Sequence, residues 1–356
     1  MEIIKSTLLK RRRWYPIWML SVLLIIHVNL CFSQETVFRV AKIWDHANHN
    51  AFTDLIRHEG KFYCTFREAD SHLIFPSKQN GRIRILSSED GYNWISFALI
   101  SKEGFDLRDP KLSNTPEGRL MLLVGALEWD KDKEKQINSR NTQVSFLDEQ
   151  TGRFSALQEI IFDENFTTGH NWLWRITWWR GTGYGVVYTD NAVYLVQTSN
   201  GIHYSFITEL NIPGSPSEAS VAFKRSDEMV MVIRRDGDNE EDRKGYIGRS
   251  FKPYTEWTWT PTERLGGPAM IRYTDEQFIV ASRSYKYEKE HTTLYLLGND
   301  NRLNCITELP SHRDCSYAGM VFYDNKLWVS YYSSHEGKSS IYLATVPLSY
   351  IEHNIW

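Results

Sequence analysis

The chain has 356 residues, 42% of them hydrophobic, with 41 Lys and Arg against 44 Asp and Glu and a formal net charge of -3. This slightly acidic balance excludes a binder of nucleic acid, which needs clustered cations to neutralise phosphates. Four cysteines in so long a chain exclude a scaffold built on a dense disulfide framework.

At the N-terminus, Lys5, Lys10, Arg11, Arg12 and Arg13 precede the apolar run PIWMLSVLLIIHVNL, and CFS then gives way to Gln34. This is the pattern of a secretory signal peptide over residues 1–33, expected to be cut near Ser33 and Gln34. It implies a secreted or periplasmic mature domain spanning residues 34–356. The run is short for a membrane span of ~20 residues and contains His27 and Asn29, so membrane attachment is expected only if the segment stays uncleaved. Of the cysteines that remain, Cys64 lies in the strand-like FYCTF and reads as a buried apolar residue. Cys305 and Cys315 are near enough in sequence to pair around a short loop.

The mature region repeats one pattern: an apolar run, a turn with Gly, Asp or Asn, and a second apolar run. Copies begin at Asp54 (DLIRHEGKFYCTFRE), Asp109 (DPKLSNTPEGRLMLLVGAL), Arg175 (RITWWRGTGYGVVYT), Glu218 (EASVAFKRSDEMVMVIRRD), Gly267 (GPAMIRYTDEQFIVASRSY) and Ala318 (AGMVFYDNKLWVSYYSS), at intervals of 43 to 66 residues. Such a period is that of a four-stranded propeller blade. Each copy reads as an inner hairpin, and strand pairs such as GRIRILSSEDGYNWISFALI between copies supply the outer halves. The spacing predicts an all-β, six-bladed β-propeller in a single domain, with residues around 34–50 and the C-terminal SIYLATVPL closing the ring. No long amphipathic helix competes with this reading.

Two outer turns carry a sharper signature, SEDGYNW (Ser88, Asp90, Gly91, Trp94) and TSNGIHY (Thr198, Asn200, Gly201, Tyr204). Hydroxyl and carboxylate or amide groups bond the turn's own backbone, Gly supplies a positive φ, and the aromatic ring plugs the neighbouring strand. These turns resemble the Asp-box (BNR) motif of sialidase-like propellers, a structural motif with no chemistry of its own.

Ligands of propellers sit over the axis, so the ends of the inner strands are the place to look. Those ends are polar in every blade: DHANHNAFTD with His46, His49 and Asp54, FREADSH with Arg67 and Asp70, DLRDPK with Asp109, WLWRITW with Trp174 and Arg175, PSEAS with Glu218, VIRRDGD with Arg234 and Arg235, ASRSY with Arg283, DCSY with Asp314 and Tyr317, and YYSSHEG with His335. A ring of guanidinium and carboxylate groups suits an anionic or densely hydroxylated ligand, because Arg forks bind carboxylates bidentately. Aromatic residues make up 14% of the chain, a share that fits a site where sugar C–H faces pack on rings. No ligand spacing marks a metal site, and no cofactor is implied; a glycan is the expected partner.

The segments SEASVAFKRSDEMVMVIRRD and SYAGMVFYDNKLWVSYYSS resemble the sialidase (neuraminidase) superfamily, in which a Glu opens one inner strand, an Arg closes the next, and a catalytic tyrosine opens a later one. The resemblance implies Tyr317 as nucleophile, Glu218 as the base that takes its proton, and Asp70 as the acid/base group. It implies Arg234 (or Arg235) and Arg283 as two members of an arginine cluster that grips a substrate carboxylate. The family's first arginine, in a Tyr/Phe-Arg-Ile-Pro motif, is missing here, where NAFTDL stands. Arg67 or Arg175 is then expected to take its place from elsewhere in the ring, or the substrate to lack the sialic acid carboxylate; His46, His49 and Asp54 stand there instead, which suits hydroxyl recognition or histidine acid–base chemistry. The expected activity is an exo-acting glycoside hydrolase that removes a terminal, acidic sugar. Two other classes remain open: a propeller lyase acting on uronic-acid glycans through His46, His49, Tyr317 and His335, and a non-catalytic sugar-binding propeller.

Overall fold

The computed structural model describes residues 38–73, 81–130, 137–163, 169–190, 192–286 and 289–354. The segment read as a signal peptide lies outside the described residues. From Phe38 onward the chain forms one unit of six sheets, antiparallel but for one short edge strand. Strand β1 (Arg39–Trp44) belongs to the last of them. The first blade is β2 (His49–His58), β3 (Lys61–Ala69), β4 (Arg82–Ser88) and β5 (Ile95–Ile100). The second is β6 (Asp106–Asn114), β7 (Leu120–Trp129) and β8 (Ile137–Asp148), edged by the short β9 (Arg153–Phe154) and β10 (Gln158–Glu159). The third adds β11 (Ile161–Phe162) as a parallel edge to β12 (Asn171–Trp179), β13 (Thr182–Thr189), β14 (Val193–Thr198) and β15 (His203–Glu209). The fourth is β16 (Pro216–Phe223), β17 (Met229–Arg235), β18 (Lys244–Ser250) and β19 (Thr258–Arg264). The fifth is β20 (Ala269–Arg272), β21 (Phe278–Ser284), β22 (His291–Leu297) and β23 (Leu303–Leu309). The sixth is β24 (Cys315–Tyr323), β25 (Lys326–Ser333) and β26 (Ser340–Pro347), completed by β1.

The six inner hairpins predicted from the repeat are therefore β2–β3, β6–β7, β12–β13, β16–β17, β20–β21 and β24–β25. The ring closes as expected: Arg39 pairs with Thr345 and Ala41 with Leu343, so the N-terminal strand completes the C-terminal blade. Closure of this kind removes the free edges that an open sheet would expose.

Strands such as LMLLVGAL in β7 and MVMVI in β17 lack polar alternation because each blade is covered on both faces by its neighbours. Six apolar clusters fill the six seams between blades, for example Leu294 and Ala281 of the fifth against Tyr342 and Val329 of the sixth. The two outer turns close on themselves in the same way. Asp90 Oδ1 accepts from the amides of Tyr92 and Asn93 at 2.8 Å, and Asn200 Oδ1 from those of Ile202 and His203 at 2.9 Å. Cys64 is buried, as expected, but Cys305 and Cys315 do not pair: all three described cysteines are free, with Cys305 exposed and Cys315 buried. Among the described residues no helix is long and apolar enough to cross a membrane.

Candidate active site

Strands β2, β6, β12, β16, β20 and β24 contact one another in turn around the axis. In perfect register an antiparallel strand sends its side chains to the two faces of its sheet, and none along the axis. Five of these six strands break register near the start, between Ala51 and Asp54, Arg108 and Lys111, Leu173 and Ile176, Pro216 and Ala219, and Ser316 and Gly319. Such bulges re-aim a side chain and collect beside active sites. Phe52, Asp109 and Tyr317 occupy three of them with φ of 61°, 47° and 52°, a left-handed geometry that costs a non-glycine residue roughly 1 kcal/mol or more. The sixth position is Gly267, with φ of 60°, where a Cβ would stand 2.4 Å from the Tyr317 ring; only glycine leaves the tyrosine its place.

The Tyr317 hydroxyl donates to Glu218 Oε1 at 2.6 Å. Glu218 Oε2 accepts from the Gly267 amide at 2.8 Å and from Arg234 Nη1 at 3.0 Å, and the same Nη1 donates to the Tyr317 oxygen at 3.1 Å. Burial, and then the Glu218 charge, pushes the Tyr317 phenol well above its ordinary range. The phenol is therefore neutral at neutral pH, with the Glu218 carboxylate already in contact to accept its proton. Burial works against the charge on Arg234, but Glu218, Tyr317 and Asp236 overcome it and hold the guanidinium protonated. The rings of Phe52 and Trp174 flank Tyr317 at 5.1 and 5.4 Å, and the Arg283 guanidinium lies 5.6 Å from its centre.

Tyr317 and Glu218 open onto a cavity of about 250 Å³. Its other polar walls are Asp109, Arg108, His72 and Arg140; its apolar walls are Phe52, Leu127, Trp129, Ile137, Trp172 and Tyr188. Rings on one side and hydrogen-bonding groups on the other match the two kinds of surface a sugar presents. Burial raises the Asp109 carboxyl to about 6, against the opposing charges of Lys111 and Arg108. Its Oδ1 is buried and meets no hydrogen-bond partner among the described residues.

A second layer supports this one. Arg283 donates to the Cys315 carbonyl, to Asp314 Oδ1 at 3.1 Å and to the Tyr332 oxygen at 3.0 Å. Asp314 Oδ2 faces His49 Nε2 at 3.2 Å and His72 Nδ1 at 2.8 Å. Burial alone would raise the Asp314 carboxyl, but hydrogen bonds from both histidines and the Arg283 charge hold it well below the usual carboxylate range.

The structure thus gathers Tyr317, Glu218, Arg234, Arg283 and Asp109, and separates several residues that sequence placed with them. Asp70 lines a different cavity, of about 320 Å³, with Glu68, Arg84 and His46, whose ring stacks on Trp44 at 4.0 Å. Of the two adjacent arginines, Arg234 faces the tyrosine. Arg235 turns away and holds the carbonyls of Pro213, Glu241 and Lys244. Arg67 is fully buried against Asp106 at 2.8 Å, out of a ligand's reach. Arg175 and Asp54 pair at 3.0 Å and line a cavity of about 400 Å³ that shares no residue with the tyrosine's. Trp174 is 1% exposed and packs behind Tyr317 rather than facing a ligand. His335 bonds Ser333 and packs on Tyr342, away from the cavity. Sequence reasoning passed over Tyr188 and Arg140; Trp172 and His72 it placed among the polar strand ends facing the axis, without giving either a role in the site.

No protein-family model matches the chain, and no curated protein sequence matches it. Solved structures do. A Dyadobacter fermentans protein of unknown function superposes with a TM-score of 0.70 at 16% identity, over 86% of this chain and 98% of that one. An α-L-arabinofuranosidase of Fusarium graminearum, in complex with an iminosugar inhibitor, gives 0.65 at 13%, over 88% and 98%. The Trypanosoma rangeli sialidase gives 0.64 at 10%, over 87% of this chain and 58% of the sialidase, so this chain spans little more than half of that enzyme. At these identities the likeness is one of fold, the six-bladed propeller of sialidases.

Proposed function

We propose that the protein is a retaining, exo-acting glycoside hydrolase that removes a terminal sugar bearing an acidic group at its anomeric carbon. The observation that carries this reading is the 2.6 Å contact from the Tyr317 hydroxyl to Glu218 Oε1, bridged by Arg234. A carboxylate at the reacting carbon repels an anionic nucleophile, and a neutral tyrosine deprotonated by its neighbour avoids that repulsion. Attack forms the Tyr317 oxygen–carbon bond as the phenolic proton passes to Glu218, and the glycosidic bond breaks. Water then displaces the tyrosine, which recovers its proton. Arg108, on the cavity wall, and Arg234, held against the Tyr317 oxygen, supply positive charge near the sugar, and Asp109, carrying its proton near pH 6, offers a hydrogen bond to a hydroxyl. A cavity of about 250 Å³ suits one terminal ring, since it falls just below the range of pockets that take drug-sized ligands. The fold shared with a sialidase and an arabinofuranosidase supports glycoside chemistry at the general level. The basic and apolar N-terminus supports a secreted enzyme acting on glycans outside the cytoplasm.

One observation favours a second reading. Phe52 occupies the bulge where a first arginine is expected, and Arg234 and Arg283 are already paired with Glu218, Asp236 and Asp314. A neutral sugar would need no arginine cluster, and Glu218 itself would then attack the anomeric carbon with Tyr317 as its hydrogen-bond donor. A panel of aryl α-sialosides and neutral aryl glycosides separates the two. Release of the sialoside, lost in Tyr317→Phe at unchanged melting temperature, is the expected result. Activity on a neutral glycoside that survives Tyr317→Phe and dies in Glu218→Gln establishes the second reading. A product absorbing in the ultraviolet from uronic-acid polymers would instead reveal a lyase.

A further inference from the structure

The glycosidic oxygen must gain a proton as it leaves, and a group able to give it must reach the outer side of the bound sugar. Three side chains stand near the cavity in an arrangement that looks like a metal triad: His49 Nε2, His72 Nδ1 and Asp314 Oδ2 lie within 4.8 Å of one another. The protons argue otherwise. Arg67 Nη1 faces His49 Nδ1 at 3.4 Å, and a guanidinium can only donate, so Nδ1 carries the lone pair and Nε2 the hydrogen. A protonated ring nitrogen cannot ligate a metal; it donates to Asp314 at 3.2 Å. Burial, with the Arg67 charge behind it, keeps His49 neutral in this tautomer. The carboxylate is also already neutralised by Arg283 at 3.1 Å.

His72 is placed differently. Its Nδ1 meets Asp314 Oδ2 at 2.8 Å, and its backbone carbonyl is held by Arg108. The carbonyl of the preceding Ser71 is held by Arg67 at 3.0 Å. The imidazole is 47% exposed and lines the same cavity as Tyr317 and Glu218, and nothing among the described residues bonds its Nε2. An imidazole oriented by a carboxylate at one nitrogen and open at the other is built for proton transfer. Asp109, on the same cavity wall, has a buried oxygen without a hydrogen-bond partner among the described residues and suits a sugar hydroxyl instead.

We propose that His72, oriented by Asp314, is the general acid and base of the reaction, an assignment that rests on the hydrolase reading. In the first step the cationic His72 gives its Nε2 proton to the departing glycosidic oxygen while Tyr317 bonds the anomeric carbon and Glu218 takes the phenolic proton. In the second, neutral Nε2 takes a proton from water as the water oxygen bonds the anomeric carbon and the bond from that carbon to the Tyr317 oxygen breaks, while Glu218 returns its proton to the phenolate. Asp314 is a positioning residue throughout. The groups facing His72 are Asp314 and His49, with Arg108 and Arg67 on its loop backbone.

The test is a series of aryl glycosides of the sugar released in the panel above, differing in leaving-group acidity, with the protein and His72→Ala. The exposed side chain makes this variant safe for folding. Acid–base assistance is worth about 100- to 10,000-fold, so His72→Ala should lose that much kcat/KM on phenols of low acidity and less than about 10-fold on dinitrophenol. Azide, a nucleophile that needs no base, should restore its turnover and yield a glycosyl azide. Asp314→Asn should steepen the same leaving-group dependence. Equal dependence in the protein and His72→Ala, or the steep dependence appearing in Asp109→Asn instead, overturns the assignment alone. Activity lost to a chelator and restored by zinc overturns it in favour of a metal. Release of no aryl glycoside by the unaltered protein refutes the hydrolase reading and this assignment with it.

Discussion

Replacing Asp109 by Asn separates what this residue does for the fold from what it does for the site. Asn tolerates the φ of 47° and is nearly isosteric, so the change removes only the ionisation. The folded carboxyl titrates at about 6 against an ordinary 3.8, a difference of about two units, or about 3 kcal/mol at 1.36 kcal/mol per unit. Below pH 3.8 both folded and unfolded chains hold the proton, and the residue makes no pH-dependent contribution. Between there and pH 6 the unfolded chain releases its proton first, so stability falls as pH rises. Above pH 6 the loss is complete. Partial exposure to water screens some of it, so about 2 kcal/mol is the expectation. Urea unfolding of the protein and of Asp109→Asn should therefore give curves that diverge with pH, the variant being the more stable by about 2 kcal/mol at pH 8. Its KM should rise at the same time, the usual exchange of stability for a strained site. Parallel stability curves across this range would show that burial does not raise the Asp109 carboxyl.

Other perturbations test other parts of the account. Gly267→Ala puts a Cβ 2.4 Å from the Tyr317 ring at a positive φ. It should destabilise the fold by about 1–3 kcal/mol and cut kcat far more than it raises KM; full activity would show that the tyrosine has room to spare. Arg67→Met leaves Asp106 buried without its main partner, which should cost about 3–5 kcal/mol in urea unfolding; an unchanged unfolding midpoint would show that the pair adds no net stability. For Asp314, whose folded carboxyl titrates below its ordinary value, the stabilisation is present above the ordinary range and lost as pH falls. Asp314→Asn should therefore flatten the acid-unfolding limb, and an unchanged limb would show that the histidines do not hold the charge.

The propeller was legible because each inner hairpin is buried on both faces, which writes the repeat into the chain as paired apolar runs at blade intervals. Closure was expected from residues around 34–50 and the C-terminal SIYLATVPL, and β1 supplies the fourth strand of the last blade. Tyr317, Glu218, Arg234 and Arg283 could be read because each lies at the end of an inner strand. What stayed hidden depends on register. The bulges that turn Phe52, Asp109 and Tyr317 inward use left-handed backbone at residues that do not advertise it. A one-residue shift separates Arg234 from Arg235, and their neighbours, not their type, decide which faces the axis. Arg67 looked like a ligand arginine because its partner Asp106 comes from the next blade, 39 residues on. In the loop FREADSH, His72 turns to the cavity and Asp70 does not, an outcome set by the carbonyl contacts of Arg67 and Arg108.

Covalent trapping decides whether Tyr317 is the nucleophile. The protein is incubated with a fluorinated sialoside that forms its adduct quickly and loses it slowly, digested, and mapped by mass spectrometry. The account predicts one equivalent of label on the Tyr317 hydroxyl, absent from Tyr317→Phe. Label on Glu218, or steady turnover with no adduct on Tyr317, would contradict it.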